Sequence, residues 1–130
     1  MTRLVLNGLA KRFGRVQALK SLDLDVGEGE LISLLGPSGC GKTTTLRCVA
    51  GFEYAEEGHI TFDGQDVTAL PPEKRDIGMV FQNYALFPHM TVAENLAFGL
   101  EMRRVDRGAA SRRIEQALKT VQLSAQLDRY

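Results

Sequence analysis

Residues 36 to 43 read Gly-Pro-Ser-Gly-Cys-Gly-Lys-Thr and place a lysine and a hydroxyl directly behind a run of glycines. They fit the pattern G-x-x-x-x-G-K-[ST] at every fixed position. Each residue type has a task in holding a polyphosphate. Gly36, Gly39 and Gly41 let backbone N–H groups turn inward and approach phosphate oxygens closely. A helix that starts near Gly41 points its positive end at the same anion. Lys42 can reach the β- and γ-phosphates, and the Thr43 hydroxyl can ligate Mg²⁺. Pro37, Ser38 and Thr44 complete the cradle, and Cys40 reads as a small filler within it.

Such a loop needs a strand behind it and a helix ahead of it. The continuous apolar run 31–35, Leu-Ile-Ser-Leu-Leu, predicts a buried central strand. The stretch 42–52 predicts a helix closed by Gly51. Upstream, residues 3–13 and 18–30 read as strands. In the second, Leu22, Leu24 and Val26 alternate with Asp23 and Asp25 before a Gly-Glu-Gly-Glu turn. Residues 58–67 predict a hairpin around Asp63 and Gly64. Pro71 and Pro72 break the chain before a second apolar run at 75–81, which predicts another buried strand. Residues 82–90 lack a period and carry Pro88, as a loop does. Thr91 and Glu94 have capping-box spacing and open a helix through Leu100. After Gly108, Ile114, Ala117, Leu118 and Val121 share the face of an amphipathic helix.

Composition bounds what this machinery can serve. Sixteen basic residues balance sixteen acidic ones, which argues against a dedicated nucleic-acid binder. The two cysteines, Cys40 and Cys48, form neither a disulfide framework nor a metal motif, so a reducing compartment is expected. The first residues have no apolar core of a signal peptide, and no apolar run approaches the roughly 20 residues that span a bilayer. Arg103, Arg104, Arg107, Arg112 and Arg113 read as the solvated faces of helices, with Asp106 and Glu115 as partial partners.

The stretches 36–68 and 76–100 together resemble the ATP-binding subunit of ABC transporters, from about residue 4 to the last residue. The likeness is greatest to importers of the sugar, polyamine, ferric iron and sulfate type. It implies an α/β fold: an incomplete P-loop ATPase core with an antiparallel β subdomain and the start of a helical subdomain. Residues 1–130 then correspond to the N-terminal part of that domain, ending before its signature motif. The resemblance assigns Phe13 to stacking on adenine, with Val16 touching the same base. It gives Gln82 to Mg²⁺ and the attacking water, and residues 84–90 to the membrane-spanning subunits. Tyr84, Leu86, Phe87 and Met90 would otherwise be unusual in a surface loop. His89 does not match the family's switch histidine and is taken as structural or interfacial.

The same resemblance implies ATP and Mg²⁺ as ligands, permease subunits and a second ATPase subunit as partners, and a place on the cytoplasmic face of the inner membrane. The transported solute is not encoded here. No aliphatic strand ending in Asp-Glu, no Leu-Ser-Gly-Gly-Gln signature and no switch histidine occurs in the sequence. Binding without turnover is therefore expected of the chain alone, together with association through an uncovered sheet edge. A non-transport ABC ATPase, acting in DNA repair or translation, and a nucleotide-binding fragment without turnover are the alternative functions.

Overall fold

Alternation of apolar and polar residues draws the first part of the chain into strands. In the computed structural model, which describes residues 2–130, β1 (Leu4–Phe13) and β2 (Val16–Val26) pair antiparallel across a turn at Gly14 and Arg15. β3 (Glu57–Phe62) joins the other edge of β1, and β4 (Gln65–Asp66) follows β3, giving the order β2-β1-β3-β4. Asp63 and Gly64 both have positive φ, as the expected tight hairpin turn requires. Leu6 and Leu9 are both fully buried although three residues apart. The register shift between them explains this: a bulge at Asn7 and Gly8 returns the side chains to one face.

α1 (Lys42–Ala50) lies against this sheet, and its Cys48 joins Leu6, Leu9, Leu19, Ile60 and Val67 in the core. Burial pushes the Cys48 thiol pKa up, so this sulfur behaves as a small apolar group. Gly51 ends α1 in the left-handed conformation, with its N–H on the Cys48 carbonyl. Gly51 also makes room for Arg75, since a Cβ there would sit 2.7 Å from Nε. Arg75 is only 4% exposed. It donates to the carbonyls of Leu70, Cys48, Val49 and Thr68 at 2.7 to 3.0 Å.

Contacts divide the chain into two units, residues up to Met79 and Val80–Tyr130. The second unit is helical. Its α2 (Val92–Met102) opens on the expected capping box: Thr91 Oγ1 accepts from the Glu94 N–H, and a Glu94 carboxylate oxygen accepts from the Thr91 N–H at 2.7 Å. The chain end closes onto the same helix, where the N–H groups of Val92 and Ala93 donate to the Arg129 and Leu127 carbonyls. α3 (Arg107–Thr120) begins one residue earlier than Gly108, because Asp106 caps it by accepting from Gly108 and Ala109. The Asp106 carboxylate thus serves the helix end. Leu118 is buried and Ile114 half-buried, but Ala117 and Val121 are exposed, so the apolar stripe is narrower than its spacing suggests.

Two expected strands do not form. Residues 31–35 and 75–81 carry no strand pairing among the described residues, and Leu31, Leu35 and Val80 are 96%, 91% and 96% exposed. The physical reason is the absence of a neighbour. A parallel strand gains its hydrogen bonds and its burial from strands on either side. Among the described residues the sheet contains only the antiparallel β2-β1-β3-β4 set. No helix among the described residues is long and apolar enough to cross a membrane.

Candidate functional site

The phosphate-loop residues occupy an exposed turn that leads into α1. Gly39 and Gly41 are left-handed, with φ of 81° and 95°. Gly41 stands at the N-cap, and a Cβ there would meet the Ala18 carbonyl oxygen at 2.6 Å and Leu19 Cδ2 at 2.7 Å. Only glycine lets the loop end lie this close to β2. The first turn of α1 is then fixed by Thr45, whose N–H and hydroxyl both donate to the Gly41 carbonyl. Thr45 is buried, and the sequence reading did not single it out.

Lys42 folds back over the loop. Its ammonium donates to the carbonyls of Gly36 and Pro37 at 2.7 Å each and lies 3.3 Å from Cys40 Sγ. Cys40 is exposed beside the ammonium. No side chain caps α1 and no acidic residue stands in its first turn, so nothing negative competes for the end of the helix. Thr43 is exposed and Thr44 half-buried in that turn, while Pro37 and Ser38 are exposed. A cation, a free helix terminus and left-handed glycines on one turn suit a polyphosphate.

Phe13 and Val16 face each other as partners at the tip of the β1–β2 hairpin, 46% and 66% exposed. A half-exposed ring beside an exposed aliphatic offers a flat apolar platform. Leu19, the residue that meets Gly41, is on the same hairpin and pairs with Lys11. The first unit therefore brings the loop, α1 and the platform-bearing hairpin together. Among the described residues no group of three or more His, Cys, Asp or Glu side chains could cage a metal. The hydroxyl oxygen expected of Thr43 suits Mg²⁺, which keeps waters and phosphate oxygens as most of its ligands.

Gln82 belongs to the second unit, exposed in a turn closed by the Tyr84 N–H on the Phe81 carbonyl. The backbone is left-handed at Tyr84 and Ala85. Beyond them Asn95 knots the loop: Oδ1 accepts from the Phe87 N–H, and Nδ2 lies 3.0 to 3.2 Å from the carbonyls of Phe87, Met90 and Thr91. Phe87 packs on Phe98 with ring centroids 4.8 Å apart, and His89 meets the Phe87 ring edge. Leu86, Phe87, Met90, Leu96, Val121 and Tyr130 line a groove of about 550 Å³. Asn95 and Arg75 were both missed in the sequence. A lone amide on a helix and an arginine after a proline turn read as surface residues, and only the fold shows which carbonyls they meet.

A family model described as ABC transporter matches residues 19–130. The chain belongs to the ABC transporter family. It is 52% identical over 124 residues to the spermidine/putrescine import ATP-binding protein PotA of Vibrio vulnificus, covering 95% of this chain and 33% of that protein. The PotA of Marinobacter nauticus is 53% identical over 122 residues, covering 94% of this chain and 33% of its own length. The chain thus spans about a third of the length of the curated relatives it matches. Among solved structures, an ATP-binding cassette in a dimeric post-hydrolysis state bound to ADP and Pi superposes with a TM-score of 0.85 at 28% identity. That match covers 97% of this chain and 60% of the other. A second ATP-binding cassette of an ABC transporter gives 0.82 at 27% identity, covering 99% and 57%. The fold is accordingly that of a partial ABC ATPase core, with its antiparallel sheet and the beginning of its helical part in place.

Proposed function

We propose that this chain binds ATP with Mg²⁺ as the N-terminal part of the ATP-binding subunit of an ABC importer. The observation that carries the reading is the loop at 36–43, with its left-handed glycines, the Lys42 ammonium drawn over it and an uncapped α1 terminus. Lys42 would leave the Gly36 and Pro37 carbonyls for the β- and γ-phosphates, exchanging neutral acceptors for charged ones. N–H groups of Gly39 to Thr44 would take the remaining phosphate oxygens, with Gly36, Pro37 and Ser38 shaping the turn. Phe13 and Val16 would hold the base. Thr43 would supply a hydroxyl and Gln82 an amide oxygen to Mg²⁺, which when bound offsets phosphate charge. Gln82, exposed in its turn, would sense the γ-phosphate and report it.

The importer assignment draws on the PotA relatives at 52% identity. In the whole protein, residues 84–90 would meet membrane-spanning permease subunits, which the exposed apolar side chains there favour. A second copy of the subunit would complete the nucleotide site on the cytoplasmic face of the membrane. Residues 31–35 and 75–81 would become strands beside partners supplied by the whole domain. For the chain alone we propose nucleotide binding without turnover, because no Asp-Glu strand is encoded to activate water.

Calorimetric titration with ATP and Mg²⁺ tests the reading. The chain is expected to bind in the micromolar range or weaker. Lys42→Ala is expected to lose at least about tenfold, as removal of a charge-assisted pair of bonds would give. Equal affinity in chain and variant, or no binding to either, would refute it.

A further inference from the structure

Lys11 stands two residues before Phe13 on β1, and its ammonium lies over the Phe13 ring, 5.2 Å from the centroid. The same ammonium pairs with Glu53 at 3.7 Å, and both side chains are well shielded, 15% and 27% exposed. Glu53 is itself tied to α1, since its N–H donates to the Arg47 carbonyl just past the Gly51 cap. Across the hairpin Lys11 pairs with Leu19, the residue against which Gly41 rests. A chain of contacts thus runs from α1 through Glu53 and Lys11 to the Phe13 ring.

We infer that Lys11 is a positioning residue for the nucleobase, covering one face of Phe13 and leaving the other face to the base. The proposal rests on the nucleotide-binding reading above. A half-exposed phenyl ring on a strand end can rotate about χ1 and χ2, and stacking then pays to order it. A cation fixed over one face holds the ring by its quadrupole. Glu53 fixes the cation relative to α1, so the base platform and the phosphate cradle share one reference element. Lys11 acts through Phe13 and does not reach for the phosphates, because its ammonium is already committed to Glu53 and the ring.

The experiment compares ATP with inorganic tripolyphosphate, which shares the phosphate cradle but has no base. Both are titrated calorimetrically against the whole chain and three variants, with circular dichroism and thermal melts as folding controls. Lys11→Met is expected to weaken ATP about two- to fivefold and to leave tripolyphosphate unchanged. Lys11→Arg, which keeps a cation able to lie on the ring, is expected to restore ATP affinity. Glu53→Gln, which frees the ammonium, is expected to weaken ATP selectively as well and decides the matter if Lys11→Met does not fold. Equal weakening of both ligands, or of neither, overturns the proposal. Wild-type chain that binds tripolyphosphate as tightly as ATP would remove the platform and this inference while keeping the phosphate cradle. Binding of neither ligand would remove the nucleotide reading as a whole.

Discussion

Arg75 shows how one side chain can close the accounts of several segments. Its guanidinium is buried with no ion pair among the described residues, and burial pulls its pKa below the ordinary value. The group remains charged, since arginine is not deprotonated in proteins. Its donors instead end α1 at Cys48 and Val49 and pin the Thr68 and Leu70 carbonyls. Removing it takes a donor from four shielded carbonyls, of which Cys48 alone keeps a second, the Gly51 N–H. Arg75→Met is expected to destabilise the chain by about 2–4 kcal/mol, read as a lower urea midpoint. Arg75→Lys should recover only part of this, because one ammonium cannot span the four carbonyls that a planar fork reaches. At this scale the glycine turn leading into α1 was legible, since its residue types lie within eight consecutive positions. Arg75, Asn95 and Thr45 were not, because their roles depend on carbonyls that the chain brings near only after folding.

Helix termini were the most legible elements. The Thr91–Glu94 box and the Gly51 stop formed as their spacing demands, because each is settled within a single turn. Titration follows from the first of these. The Thr91 N–H, and then the Thr91 hydroxyl, hold the Glu94 carboxyl below the usual glutamate range. A depressed folded-state pKa means that the capping contribution is present above the unfolded value, near pH 4.5, and is lost as pH falls through the folded value. The α2 terminus is thus expected to fray in acid. Amide exchange at Glu94 and Asn95 should speed up below about pH 4, beyond the intrinsic trend, in the native chain but not in Glu94→Gln. An unchanged difference between the two proteins across pH 3 to 6 would refute this. The strands at 31–35 and 75–81 were the misreadings at this scale. Apolar runs state that a segment can be buried, but pairing needs a neighbour, and no local pattern reports whether one is present.

At the scale of the whole molecule the unpaired runs become a liability. Leu31, Leu35 and Val80 present aliphatic side chains to water next to backbone that no ladder covers. Such surface pairs readily with another copy. The chain is expected to self-associate at micromolar concentration, and Leu35→Lys with Val80→Lys should shift light scattering toward the monomer mass. A monodisperse monomer in the unsubstituted chain would refute the expectation. The second unit has a different mechanical character. Asn95 joins Phe87, Met90 and Thr91 through one side chain, so the loop before α2 and the first turn of the helix share a single set of hydrogen bonds. Opening of the Phe87 turn and of the first turn of α2 is then expected to occur as one event, with matching amide-exchange rates at Phe87 and Asn95.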